Sequence, residues 1–224
     1  MAGKIMHAAT VVLLRDGSDG LELLLCRRDS RIAFAGGHWV FPGGRVEDAD
    51  GEGDSDELTV ARSAAVRETR EEVGLNIDAT ELVTLSHWTP PDIAPKRYLT
   101  WFFLTRAPQG EVRVDEREIR EHAWLRPSEA LARRNRGEIE LSPPTWVTLE
   151  QLQHCATAAE ALEAARNSEP ERFTTRIAQV EGGMCALWDG DAGYESGDAS
   201  IAGARHRLWM VADGWRYERH GASS

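Results

Sequence analysis

The chain has 224 residues, of which 42% are hydrophobic and 28% are charged, and its formal net charge is -11 at pH 7. This composition is typical of a globular protein that can bury a sizeable core. The acidic excess argues against an extended nucleic-acid interface, because such a surface would repel a polyanion. The three cysteines (Cys26, Cys155 and Cys185) are far apart and lack zinc-binding spacing, which fits a reducing compartment.

The sequence carries no targeting or membrane signal that we recognise. The N-terminus lacks the apolar run of a signal peptide, and no segment approaches the roughly 18 to 20 apolar residues of a membrane span. The sequence therefore predicts a soluble, cytoplasmic protein without a membrane partner.

The first elements read as strands joined by tight turns. Residues 7–15 and 21–28 are apolar and β-branched, and the segment between them is rich in turn formers. Residues 39–41 form a short apolar segment that Pro42-Gly43-Gly44 stops, so the backbone turns sharply there or approaches something closely.

An acidic segment and a long helix follow. Residues 50–56 have almost nothing to bury, and we expect a mobile surface loop. The pattern predicts a helix over residues 57–73, with Ala61, Ala64 and Ala65 on its packed side and Gly74 as its C-terminal stop.

The second half of the chain mixes strands and helices. Strands are predicted over residues 81–87, 98–106 and 123–125, with a proline-rich loop over 89–95. A helix is predicted over 127–136, and a second helical stretch begins after Ser142 as N-cap and continues to about Arg166. Residues 206–212 and 215–220 predict a hairpin with a two-residue Asp213-Gly214 turn.

Three glutamates in the predicted 57–73 helix are candidates for a functional site. Glu68, Glu71 and Glu72 stand at i, i+3 and i+4, so their carboxylates project from one face. One interpretation is a solvated acidic face compensated by Arg67 and Arg70. The other is a divalent metal site, because Mg2+ and Mn2+ prefer carboxylate and carbonyl oxygens.

The surrounding sequence resembles the Nudix box, G-x5-E-x7-R-E-U-x-E-E-x-G-U, in which U is apolar. Arg67-Glu68, Glu71-Glu72 and Gly74-Leu75 match its second half, and Gly44 fits its first glycine. Asp50 stands where the family has Glu, and Thr69 occupies one U position. Arg67 follows Gly44 by 23 positions against 14 in the pattern, so nine extra residues interrupt the box, and we place them in the acidic loop.

The resemblance implies an α+β Nudix fold, a mixed β-sheet between helices, with a C-terminal helical and β-hairpin extension. Residues 1–137 would form the Nudix core and 138–224 an extension packed on it, together a single structural domain. Trp209 and Trp215 suit a packed hairpin, and we also consider them for a homodimer interface.

The resemblance also implies a metal-dependent hydrolase that cleaves a diphosphate bond. Carried over residue by residue, Glu68, Glu71, Glu72 and the Gly43 carbonyl would hold Mg2+, with Mn2+ as a substitute. Arg67 would orient the carboxylates rather than touch the substrate. Glu118 is our choice for a further acid from a later loop, and Glu71, Glu68 or Glu118 would accept the proton from water.

The substrate is open at this level. Residues 26–29, 34–36 and 40–46 are similar to the Nudix branch that contains the peroxisomal coenzyme A diphosphatases, which suggests coenzyme A or an acyl-coenzyme A. Arg27, Arg28 or Arg97 would contact its phosphates, because guanidinium groups suit phosphate oxygens. The alternatives are a pyrophosphohydrolase of ADP-ribose, NADH or nucleoside triphosphates, and a catalytically silent ligand sensor.

Overall fold

The computed structural model describes residues 4–32, 35–51, 56–94 and 96–221. Four helices lie within these ranges: α1 (Glu57–Val73), α2 (Pro127–Asn135), α3 (Pro143–Leu152) and α4 (Ala158–Arg166). The strands up to the last of these helices are β1 (Lys4–Gly17), β2 (Gly20–Arg28), β3 (Trp39–Val40), β4 (Gly43–Arg45), β5 (Val83–Thr89), β6 (Lys96–Arg106) and β7 (Ile119–Leu125). After α4 follow β8 (Glu171–Thr174), β9 (Arg176–Val180), β10 (Gly183–Leu187), β11 (Arg205–Val211) and β12 (Gly214–His220).

The chain divides into two compact units. The larger one comprises the described residues of Met6–His87 and Thr100–Glu171. The smaller one comprises the described residues of Met1–Ile5, Trp88–Leu99 and Arg172–Ser224. Each unit therefore combines segments that are not consecutive in the chain. The boundary after residue 137 stays a prediction.

An eight-stranded sheet has the order β3-β2-β1-β6-β5-β8, with β4 paired to β1 and β7 paired to β2. The β1–β2, β1–β4, β2–β3 and β2–β7 pairs are antiparallel, and a parallel bridge joins Trp39 to Leu141. Together with the four helices this sheet confirms the predicted α+β fold class.

The core of the larger unit lies between this sheet and α1. Residues 11–14 of β1 are all fully buried, so both faces of the strand are covered there, and α1 contributes its row of alanines to the cluster that contains Val11 and Leu13. The predicted core positions Trp101 and Phe103 are buried, which confirms that prediction. The buried set joining β1 to α1 includes Ala9, Val11, Leu13, Ala61, Ala64 and Ala65.

Helix α1 begins and ends where the pattern predicts. The Asp56 carboxylate accepts the backbone N–H groups of Leu58 and Thr59, and Gly74 ends the helix with φ 71°. The expectation of a mobile loop over 50–56 is wrong at both ends, because Asp56 caps α1 and Asp50 is held by Arg67. Residues 52–55, in the middle of that loop, lie outside the described residues.

Two further predictions need correction. The helical stretch from Ser142 to Arg166 is two helices, because Thr157 starts α4 by accepting the Glu160 N–H. The C-terminal hairpin has Val211 opposite Gly214, so its turn residues are Ala212 and Asp213 rather than Asp213 and Gly214.

The smaller unit contains a four-stranded antiparallel sheet of order β12-β11-β10-β9. Trp88 stacks on Phe173 with ring centroids 3.9 Å apart, and Trp188 meets both rings edge-on. Asp191 and Arg207 form an ion pair whose side chains are fully buried. Within the described residues, no helix combines the length and apolar character needed to cross a membrane.

Candidate active site

The three glutamates of α1 share one helix face but have different environments. The side chain of Glu71 is 51% exposed, that of Glu68 is largely covered, and Glu72 is only 4% exposed. Helical spacing explains why they lie together. Glu68 and Glu72 are the two that contact β4, through Gly44 and Gly43 respectively.

Glu72 is bound to the glycine-rich strand. Its Oε2 accepts the backbone N–H of Gly43 at 2.8 Å. Gly43 has φ 152°, and a Cβ there would collide with the Ala9 carbonyl and the Thr10 backbone, so only glycine fits between β1 and this carboxylate. Burial is the main cause that raises the pKa of Glu72 to about 8; the Gly43 N–H and Arg28 act to lower it, and the carboxylates of Glu68 and Glu118 act to raise it.

Glu68 is the next most enclosed of the three. A Cβ on Gly44 would run into its carboxylate, so β4 and the Glu68 side chain are closely apposed. Burial raises the pKa of Glu68, Arg67 opposes that change, and Glu71 and Glu118 add to it. The pKa values of Glu68 and Glu72 are therefore raised by neighbouring carboxylates as well as by burial, an effect that solvent would largely screen on an exposed helix face.

Arg67 links the helix to the preceding loop. Its Nε and Nη2 donate to the two Asp50 oxygens at 2.8 and 2.9 Å, and Nη2 also donates to the Arg45 carbonyl at 3.0 Å. Nη1 donates to Glu68 at 2.8 Å and to Glu71 at 3.2 Å. Arg67 thus spans Asp50 and two of the α1 carboxylates, and the Asp50 pair raises its already high pKa.

Glu118, the residue before β7, influences the charge of Glu68 and Glu72. Arg28 on β2 donates from Nη2 to Glu118 Oε2 at 2.9 Å. Asp115 shapes the turn before it by accepting the backbone N–H groups of Glu118 and Ile119. The Asp115 N–H donates to the Glu72 carbonyl at 3.1 Å, so the turn is tied to the end of α1.

The three arginines expected to contact substrate are placed differently. Arg27 forms a 2.7 Å ion pair with Glu121, its cross-strand partner, and both side chains are about half exposed. Arg28 is mostly buried and engaged with Glu118. Arg97 belongs to the smaller unit, where it pairs with Asp92 at 2.8 Å. Their roles in binding stay predictions.

Two contacts had only a weak signal in the sequence. Asp50 stands at the position of the family glutamate, but the nine-residue insertion separates it from its partner Arg67, so the sequence does not indicate that the two residues pair. Asp115 was one of several acids in a charged run, and nothing in that run separates a turn-capping aspartate from its neighbours.

Two surface hollows of about 490 and 510 Å3 occur in the described part of the larger unit. The first is lined by residues 6–7 and 45–49, and the second by residues 15–16, 106–112, 122 and 124. None of the four glutamates lines either hollow.

The donor set suits a hard divalent cation. Within the described ranges, no three His, Cys, Asp or Glu side chains already converge to hold an ion. Glu68 and Glu71 are turned toward Arg67, Glu72 toward the Gly43 N–H and Glu118 toward Arg28. The raised pKa values of Glu68 and Glu72 nevertheless mark a place where a cation would be stabilised.

Comparison with known proteins identifies the family of the chain. The family model of the NUDIX domain matches residues 5–145, which is more than half of the chain. The peroxisomal coenzyme A diphosphatase ndx-8 of Caenorhabditis elegans is 39% identical over 77 residues, covering 34% of this chain. The match spans only 30% of that relative's length.

Solved structures show the same fold. A NUDIX hydrolase from Alicyclobacillus acidocaldarius is 25% identical with a TM-score of 0.64, covering 72% of this chain and 96% of its own. The NUDIX domain of Shewanella oneidensis NrtR, solved with ADP ribose, is 16% identical with a TM-score of 0.51, covering 67% and 87%. Because the matched domain covers more than half of the chain, the chain belongs to the Nudix family.

Proposed function

We propose that this chain is a Mg2+-dependent pyrophosphohydrolase that cleaves the diphosphate bond of a nucleotide derivative. The observation that carries the proposal is the buried Glu72, whose pKa is raised to about 8 beside Glu68 and Glu118. Burying carboxylates close to one another costs free energy unless a cation or a proton compensates. A bound divalent cation would offset this cost, and we therefore propose that the site binds one.

The cation would be held by Glu68, Glu71 and Glu72, with the Gly43 carbonyl as an additional oxygen donor. When bound, Mg2+ lowers the pKa of water and neutralises charge on the leaving phosphate. Arg67 keeps Glu68 and Glu71 together on the α1 face, because it donates to both while it is anchored on Asp50. We assign Arg67 this orienting role rather than a substrate contact.

The proton from the attacking water needs a carboxylate within hydrogen-bond reach. Glu71 and Glu118 are each more than half exposed, so both are accessible to water, whereas Glu68 is more enclosed. We keep all three as candidates for the general base. Arg28 donates to Glu118 and would fix its orientation, which makes Arg28 a positioning residue in this scheme.

For the substrate we propose coenzyme A or an acyl-coenzyme A. The support is the relative described as a coenzyme A diphosphatase, which is 39% identical over the matched segment. Arg27 is about half exposed, so it remains our candidate for a phosphate contact. Arg97 remains a candidate from the smaller unit.

A substrate panel tests this proposal. Purified protein with Mg2+ is given coenzyme A, ADP-ribose, NADH, a dinucleoside polyphosphate and a nucleoside triphosphate, and both products are identified by mass. We expect coenzyme A to yield two phosphomonoesters, one of them adenosine 3',5'-bisphosphate, and EDTA to stop the reaction. Preferential turnover of another compound would overturn the coenzyme A assignment, and no turnover of any compound would favour the ligand sensor.

A further inference from the structure

Beside Glu118, Asp29, Arg31 and Arg120 form a separate polar cluster, which we call the arginine clasp. The Asp29 oxygens accept the Arg31 backbone N–H at 2.8 Å and its side-chain Nε and Nη2 at 3.1 and 2.9 Å. The same carboxylate forms an ion pair with Arg120. Its side chain is only 6% exposed, so it acts as an internal anchor for two guanidinium groups.

A β-bulge brings Arg120 to this place. Along β2 and β7, Arg27 pairs with Glu121 and Arg28 pairs with Ile119, which leaves Arg120 as an extra residue in β7. Bulges commonly re-aim a side chain beside a functional site. The Asp29 N–H donates to the Glu118 carbonyl at 2.8 Å, so the clasp is tied directly to the backbone of a candidate active-site residue.

The clasp carries more positive charge than its own stability requires. One guanidinium is enough to neutralise the buried Asp29, yet two are present, leaving a net charge of about +1 by elementary charge counting. The Arg31 side chain is 78% exposed. In the part of the chain that the structure describes, the outer Nη1 of Arg31 and of Arg120 donates no hydrogen bond.

We propose that the arginine clasp binds a phosphomonoester that the substrate carries away from its scissile diphosphate, such as the 3'-phosphate of a nucleotide ribose. The inference rests on the proposed function, because it takes Glu118 to border the reacting diphosphate. Asp29 fixes the inner edges of both guanidinium groups, and the outer edges present N–H donors suited to phosphate oxygens. The net charge of the chain is -11, so most of its surface repels an anion. The local positive charge of the arginine clasp would therefore direct a phosphate dianion to this place.

Binding of two small nucleotides tests the clasp directly. Calorimetric titration compares adenosine 3',5'-bisphosphate with adenosine 5'-monophosphate, which differ only in the 3'-phosphate. The wild-type protein is expected to bind the bisphosphate at least about tenfold more tightly, a difference within the range of charge-assisted hydrogen bonds. Arg31→Ala and Arg120→Ala should each reduce that preference severalfold while leaving affinity for the monophosphate unchanged.

Arg106→Ala is the matched control, because Arg106 also pairs with an aspartate. Its partner Asp16 lies near the C-terminal end of β1, away from the residues of β1 that pair with β4. Arg31→Ala leaves Arg120 to neutralise Asp29, so this variant should remain folded, which thermal unfolding checks. Equal affinity of the wild type for both nucleotides overturns the proposal. A preference that survives both substitutions, or a loss that is equal for both nucleotides, overturns it as well.

The result is separable from the proposed function, because the titration requires no turnover. If the clasp prefers the bisphosphate while no diphosphate is hydrolysed, the binding site stands and the catalytic proposal fails. If coenzyme A is hydrolysed with the same KM as 3'-dephospho-coenzyme A, the catalytic proposal stands and the clasp fails.

Discussion

At the residue scale, the spacing of Glu68, Glu71 and Glu72 predicts a shared helix face, and the structure places all three there. What spacing does not predict is their unequal burial, because that depends on the approach of Gly43 and Gly44 from a strand distant in sequence. Periodicity predicts on which face of a helix a side chain lies. It does not predict which strand, distant in the sequence, covers that face.

The buried Glu72 should make stability fall as pH rises. Its pKa is raised from 4.5 to about 8 in the folded protein, so between these values the folded state keeps a proton that the unfolded chain releases. In the presence of EDTA, the free energy of unfolding should therefore decrease from pH 5 to pH 8 by up to about 1.4 kcal/mol per pH unit. Glu68 has a raised pKa and acts in the same direction.

Urea unfolding at several pH values measures this slope in the wild type and in Glu72→Gln. The variant should lose most of the slope, whereas Glu163→Gln on the exposed face of α4 should retain it. The aspartates with lowered pKa values, such as Asp50 and Asp56, are ionised in both states across this window and do not contribute. A Glu72→Gln slope equal to that of the wild type would contradict the assignment.

The Asp50–Arg67 pair should affect turnover more than substrate affinity. In Asp50→Asn the charge that anchors Arg67 is lost, so Glu68 and Glu71 lose a fixed partner. We expect kcat to fall about tenfold, equivalent to ~1.4 kcal/mol, with little change in KM. Asp48→Asn in the same turn serves as the control, Asp50→Glu should retain activity, and unchanged kcat in Asp50→Asn would refute the role.

At the element scale, α1 is predicted closely because capping, periodicity and a terminal glycine all indicate the same boundaries. The segment from Ser142 to Arg166 is predicted less well, because its composition is helical throughout and only the Thr157 cap separates α3 from α4. Strands β8, β9 and β10 are absent from the prediction. They are short, and their side chains alternate only weakly between apolar and polar.

The contact between β4 and α1 depends on a glycine at position 43. Gly43→Ala would place a Cβ against the Ala9 carbonyl and the Thr10 backbone, in a conformation that already disfavours side chains. We expect the free energy of unfolding to fall by at least about 2 kcal/mol. Gly137→Ala has a positive φ of 73° but open space around the Cβ, so it should cost only about 1 kcal/mol. Equal losses in the two variants would show that β4 has room to move.

At the scale of the whole molecule, the sequence predicts the fold class and family, and the boundary of the C-terminal extension is still a prediction. The smaller unit combines residues 88–99 with the C-terminal residues, and no local sequence pattern predicts this combination because the two segments are far apart in the sequence. The net charge of -11 argues for a small substrate paired with a cation rather than for a polyanion. Which diphosphate is bound depends on side chains outside the helix that carries the glutamates.

The most direct test of the central claim is Mg2+-dependent hydrolysis of coenzyme A by the wild type, Glu72→Gln and Glu163→Gln, followed by mass detection of both products. The account predicts at least about a hundredfold loss of kcat in Glu72→Gln, an unchanged rate in Glu163→Gln and an intact fold in both. Full Mg2+-dependent activity in a folded Glu72→Gln variant would contradict the assignment of the α1 glutamates as a metal site.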